Sequence, residues 1–200
     1  MNRTFRFFSA LAIPLILSGT LHAQSKKESV PPPPVAQAGG TADELFDEAT
    51  KLFADKKHAE ALEKYLQFKT DYGDAPEAAQ ASFNSLFPIA ICFVQLSKFT
   101  EAVPAITEAL EKPGPNPLTK LTDRQRQDLT FWLGVAQLQE KNYADARTAL
   151  ENFIALFPPD SEKNLLFVRQ NPPAARIVEA RAMIGTSYIL EEKFQEAADF

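Results

Sequence analysis

Four short stretches decide the fold: Lys57-His58-Ala59-Glu60-Ala61, Lys98-Phe99-Thr100-Glu101-Ala102, Asn142-Tyr143-Ala144-Asp145-Ala146 and Lys193-Phe194-Gln195-Glu196-Ala197. Each sets an aromatic ring, one variable residue, an acid and an alanine in the same order. Twelve residues before each alanine stands another small residue, Ala49, Ala90, Gly134 or Gly185. Beyond the alanine, at four and seven residues, three copies continue with Tyr65 and Phe68, Ile106 and Ala109, and Leu150 and Phe153. A period of this kind marks a chain built from stacked units, each too small to bury its own apolar face.

Two antiparallel helices joined by a tight corner explain the spacing. A small residue in the first helix lets the second approach, and the alanine of the second reciprocates. The aromatic ring fills the corner, and the acid sits at the positive end of the second helix's dipole. Start signals agree: Thr41 with Glu44 and Thr122 with Gln125 form capping boxes, and Asp74 with Glu77 has the same form. The expected helices are about 42–54, 58–72, 76–96, 100–111, 122–140, 144–156, 174–191 and from 195 onward. Pro88 is expected to kink the third, because it removes a backbone donor and crowds the preceding turn.

The pattern resembles the tetratricopeptide repeat family, over about residues 42–200. The resemblance implies an all-α, right-handed superhelical solenoid of helix pairs, three complete and a fourth cut short. The repeats fall at about 42–75, 76–112, 121–158 and 174–200. Pro158 stands where the family places its closing proline. The spacing departs from the family: successive second-helix alanines are 41, 44 and 51 residues apart. The additional residues are expected in turns at 112–120 and 158–173. This irregularity is similar to that of divergent repeats in bacterial envelope proteins.

Residues 1–23 form a separate segment. Arg3 and Arg6 precede an apolar run from Phe7 to Leu17, and small and polar residues lead to Ala23, the layout of a cleaved secretory signal. The run is shorter than the roughly 20 apolar residues of a membrane span, so no stable membrane insertion is expected after cleavage. Residues 24–41 carry no hydrophobic period and include Pro31 to Pro34, a flexible linker with a polyproline stretch. An exported protein of the periplasm or cell envelope is expected.

Charge and composition narrow the function. Loss of Arg3 and Arg6 leaves 19 basic against 26 acidic residues, a net −7. That balance opposes the phosphate neutralisation on which nucleic-acid binding rests. Cys92 is the single cysteine, set in an apolar run and expected to be a buried core thiol. After cleavage His58 is the only histidine, far from Cys92 along the chain. No glycine-rich phosphate loop or metal-ligand spacing occurs, so no enzyme activity, cofactor or metal is expected. Arg124 and Arg126, on a polar helix start, read as surface.

The resemblance also implies that first helices line a groove. Three residues before the small landmarks stand Phe46, Phe87, Phe131 and Ala182; six before stand Asp43, Asn84, Asp128 and Glu179. One after are Thr50, Ile91, Val135 and Thr186. Such a groove is aromatic along its middle and acidic along one rim. It lacks the Lys, Arg and Asn set with which some family members grip a carboxylate, apart from Asn84. A non-catalytic scaffold is expected, taking a peptide or protein with apolar anchors and some positive charge. The phenylalanines have a second reading as packing between neighbouring pairs. The rival function is that of an N-terminal repeat region in a longer exported protein, whose activity lies beyond residue 200.

Overall fold

The computed structural model describes residues 41–199. The signal segment, and the linker up to its last residue, lie outside the described residues. Among the described residues every regular element is helical. The α-helices are α1 (Ala42–Ala54), α2 (His58–Tyr72), α3 (Ala79–Gln95), α4 (Phe99–Glu111), α5 (Asp123–Gln139), α6 (Tyr143–Ala155), α7 (Leu165–Gln170), α8 (Ile177–Leu190) and α9 (Phe194–Asp199).

The helix starts follow local chemistry. Thr41 accepts the Glu44 amide at 3.3 Å while the Glu44 carboxylate accepts the Thr41 amide at 2.8 Å. Thr122 and Gln125 make the same reciprocal pair at 3.2 and 2.9 Å. Asp74 does not cap as expected. A 3-10 turn, Pro76–Ala78, begins there behind Ala75, with proline in a first-turn position where its missing amide costs nothing.

The four corners are built alike. Lys56, Ser97, Lys141 and Glu192 each adopt a left-handed backbone, with φ of 60°, 55°, 63° and 59°. The next amide then reaches back to close the helix: Lys57 to Leu52, Lys98 to Phe93, Asn142 to Gln137 and Lys193 to Tyr188, all at 2.9 Å. This is the Schellman closure, here made without glycine. A side chain in that conformation costs about 1 kcal/mol. Four corners therefore hold the same turn against local preference, because the helix pair on either side fixes the exit direction.

Helices pack on their successors, α1 to α6 in order, then α6 on α8 and α8 on α9. The landmark residues lie where the helices touch: Ala49, Ala61, Ala90, Ala102 and Ala146 are fully buried. Around them the core runs continuously between units. Phe83, Leu86, Ile106 and Leu129 share one cluster, and Phe131, Leu150, Phe153, Ile177 and Ile184 share the next.

Pro88 lies within α3, which runs as one α-helix from Ala79 to Gln95, and the proline is itself buried. The long insertion departs from expectation. Residues 158–173 are more than a turn. They form a 3-10 turn (Ser161–Lys163), α7 and the start of another 3-10 turn (Pro172–Arg176). Phe167 and Val168 of α7 pack on the second cluster, so this insertion adds to the core.

Cys92 and His58 are neighbours in space, although distant in sequence. The Cys92 Sγ lies 4.0 Å from the His58 Nδ1, because α2 packs beside α3. Burial pushes the thiol up to about 12. A thiol so shifted stays protonated at neutral pH and is no nucleophile. Native protein at pH 8 is expected to resist a thiol-specific disulfide reagent, with one equivalent reacting after denaturation. Rapid native reaction would contradict the buried position.

Candidate functional site

The expected face falls on the first helices α1, α3, α5 and α8. Positions separated by three and seven residues fall on one side of a helix, so Asp43, Phe46 and Thr50 share a face, as do their counterparts in α3, α5 and α8. Asp43, Asn84, Glu179 and Thr50 are exposed. Phe46, Phe87, Ile91 and Asp128 are half-buried. Phe131 and Val135 do not reach the surface, at 2% and 8% exposure. Both are covered by the fourth unit, whose Ile177 and Ile184 belong to the same cluster. The aromatic stripe is thus continuous with the core. The Phe46 ring meets Tyr65 edge-on at 5.9 Å and lies 5.4 Å from Phe68.

The polar partners differ from repeat to repeat. Thr50 accepts the Tyr65 hydroxyl at 3.1 Å and donates to the Phe46 carbonyl at 2.9 Å. Asn84 accepts from Gln80 at 3.0 Å, and Gln80 in turn accepts from Thr119 at 2.7 Å. Pro88 has no amide, so the carbonyl of Asn84, one turn earlier, lacks its regular helical donor. In the third unit Asp128 is occupied. It accepts from Arg124 and from Arg176, each at 3.0 Å. The Arg176 guanidinium lies 5.0 Å from the Phe131 ring centroid and 5.5 Å from that of Trp132. Asp43 and Glu179 have no ion-pair partner among the described residues.

One side chain of this chain therefore shows what the face can hold. Arg176 combines a carboxylate in front with an aromatic face beneath, a pairing favoured by both charge and the ring quadrupole. The first unit offers the same two elements, Asp43 and the half-buried Phe46, and among the described residues no cation sits on the acid. Beside Asp43 a hollow of about 230 Å³ is lined also by Thr41, Ala42, Glu77, Ala78 and Ala81.

Residues 128–159 match the family model described as Tetratricopeptide repeat. That stretch is a tetratricopeptide repeat. It spans most of α5 and all of α6, the third helix pair, and the corner geometry described above repeats in the other three. A helical-repeat solenoid extends through the described residues. Two solved structures are similar to this chain. One is "MamA 41-end from Desulfovibrio magneticus RS-1", at 17% identity over 80% of this chain and 91% of that one, with a TM-score of 0.45. The other is "MamA RS-1 ArsTM double mutant", also at 17% identity, over 80% and 90%, with a TM-score of 0.44. No curated protein sequence matches the chain.

Among the described residues no helix is long and apolar enough to cross a membrane. Nor does any group of three or more His, Cys, Asp and Glu there have the arrangement of a metal site. Arg147 and Arg176 are bridging residues that the repeat pattern does not single out, because each lies outside the landmark positions.

Proposed function

We propose that this solenoid is an exported, non-catalytic scaffold of the periplasm or cell envelope that binds a peptide or partner protein across the face formed by α1, α3, α5 and α8. The observation that carries the reading is the Asp128–Arg176–Phe131 arrangement in the third unit, set against the open Asp43–Phe46 pair in the first. The partner supplies cationic and donor groups: a guanidinium or ammonium for Asp43 and Glu179, and a donor for the Asn84 carbonyl. Apolar contact comes from Phe46, Phe87 and Ile91, whose rings and branches are half-exposed. Export is supported by the charged, apolar and small-residue order of residues 1–23.

Two charge reversals test the face without disturbing the core. Asp43→Lys and Glu179→Lys both alter exposed side chains, so the melting curve should hold within a degree or two. Protein retained from an envelope extract by the full exported chain should be lost by the double variant. Retention unchanged by both reversals would sink the groove reading. N-terminal sequencing of the exported protein should begin at Gln24, and an intact Met1 would remove the export claim.

A second reading has its own observation. Val178, Ile189, Leu190 and Phe194 are exposed on the last helix pair, and a Cβ added at Gly185 meets nothing within 4 Å. In the third unit the equivalent notch over Gly134 is filled by Leu150. We propose that this end face receives a further repeat-type helix, as in a longer exported protein. The reading frame past Phe200 tests it. Apolar residues four and seven beyond Ala197 support it, and a polar sequence there removes it.

A further inference from the structure

The opposite side of α5 carries a different feature. Asp128 lies two residues from Arg126 and thus about 200° around the helix. Thr130 and Leu133 return to the Arg126 side. Between this side of α5 and the second helices α4 and α6 is a hollow of about 420 Å³. Its apolar walls include Leu110, Leu133, Ala149 and Leu156, and Arg126 and Asn152 stand among them. A second hollow of about 200 Å³ is lined by the same arginine and shares Leu110 with the first. Its wall is mainly polar, with Glu111, Lys112 and Lys120 beside Phe83 and Leu121.

Arg126 and Asn152 are exposed, and neither side chain has a hydrogen-bond or ion-pair partner among the described residues. Arg124, one turn earlier on α5 than Asp128, behaves differently and is held by that acid. The unpaired guanidinium, set between an apolar hollow and a polar one, lacks an anion. The amide of Asn152 offers both a donor and an acceptor, the two functions needed to read a peptide bond. The arginine has hollow on both sides, which suits a strand passing over it rather than a chain end stopping at it.

We propose that the α4–α5–α6 face binds an extended segment of a partner protein in which an acidic side chain adjoins an apolar one. The central carboxylate pairs with Arg126, one flanking side chain enters the larger hollow, and Asn152 holds the adjoining peptide bond. Charge decides the sign of the central residue, and the apolar walls of the larger hollow decide its neighbour on that side. This surface is independent of the α1–α3–α5–α8 face and takes the opposite charge, so one can fail while the other stands.

The capped tripeptide N-acetyl-Leu-Glu-Leu-amide is the probe. Titrated into the isotope-labelled exported chain, it should shift the backbone resonances of Leu110, Thr130, Ala149 and Leu156, with a Kd of about millimolar for so small a ligand. N-acetyl-Leu-Gln-Leu-amide should bind about fivefold to tenfold more weakly, the usual loss of one charge-assisted contact at an accessible site. Arg126→Gln should weaken the Glu peptide by the same factor and leave the Gln peptide unchanged. The arginine is exposed, so that variant should keep its melting temperature. Shifts spread over the whole solenoid, an Arg126→Gln effect equal for both peptides, or tighter binding of N-acetyl-leucine than of the tripeptide would each overturn the proposal. The last outcome would mean recognition of a free chain end.

Discussion

Gly134→Val should cost about 3 kcal/mol of stability, whereas the same change at Gly185 should cost nothing. Both glycines hold the same repeat position, and neither has a positive φ. Their surroundings set the sign. A Cβ at Gly134 would come within 2.5 Å of the Leu150 Cγ, 2.7 Å of its Cδ2 and 3.3 Å of the Ala146 carbonyl oxygen. Leu150 is fully buried and has no room to retreat. Overpacking of this kind costs ~1–3 kcal/mol, and a branched side chain falls at the upper end. At Gly185 the added atoms meet open space, and valine's better helix propensity gives a gain of a few tenths of a kcal/mol. Trp132 is the only tryptophan and sits in α5 beside Phe131, so its fluorescence in a denaturant titration reports the Gly134 site directly. Equal midpoints for the two variants would contradict the packing described between α5 and α6.

Arg147→Ala should release the last helix pair while leaving the first three units folded. Arg147 is an inward side chain on α6, only 10% exposed. It donates to the Ser187 hydroxyl at 3.1 Å, pairs with Glu191, and lies 4.3 Å from the Tyr188 ring centroid. All three partners belong to α8 or the corner after it. Losing the ring contact and the hydroxyl bond together costs about 2 kcal/mol. In a solenoid each unit touches only its neighbours, so the loss falls on the α6–α8 junction. Hydrogen exchange should show α8 amides unprotected in the variant, with α1 to α4 unchanged. Arg147→Met should recover most of the loss, because an apolar chain of similar length fills the same space.

The same junction carries a pH signature. The hydrogen bond from Arg147 holds the Glu191 carboxyl below its ordinary value of 4.5, with a further lowering from Lys193. A depressed carboxylate contributes stability that is present above its unfolded value and lost as pH falls through the folded one. Wild-type α8 should therefore loosen under acid conditions below about pH 4.5, and Arg147→Ala should lose most of that acid sensitivity. An identical acid profile in the two proteins would remove Arg147 as the cause.

Helix placement was largely legible in the sequence. The capping pairs at Thr41 and Thr122, and the aromatic–acid–alanine order at the corners, are local signals that act within one or two turns. They place α1, α2, α4, α5, α6 and α9 within a residue of the expected bounds. The insertion at 158–173 was less legible. Its short helix α7 is shorter than an isolated helix can sustain, and it exists because Phe167 and Val168 have a core to pack on. Asp74 misled for a related reason: a cap depends on which residue takes the non-helical backbone, and Pro76 decided that instead.

The proposed binding face divides along the same line. Repeat register alone assigns Asp43, Asn84, Asp128 and Glu179 to equivalent positions of their helices, because helical periodicity is a property of the chain. Whether a residue on that side meets solvent was decided by the neighbouring unit. Phe131 and Val135 lie under the fourth helix pair, while Phe46 and Phe87 stay half-open. Charge followed the same rule, since Asp128 is satisfied by Arg176 from 48 residues away, while among the described residues no such cation reaches Asp43. Sequence by itself determined the all-helical repeat, its corners and the register of its faces, because those depend on residues a few positions apart. Only the tertiary structure decided which landmark notch is filled, which acid is paired and which arginine is left open, because those depend on which unit lies against which.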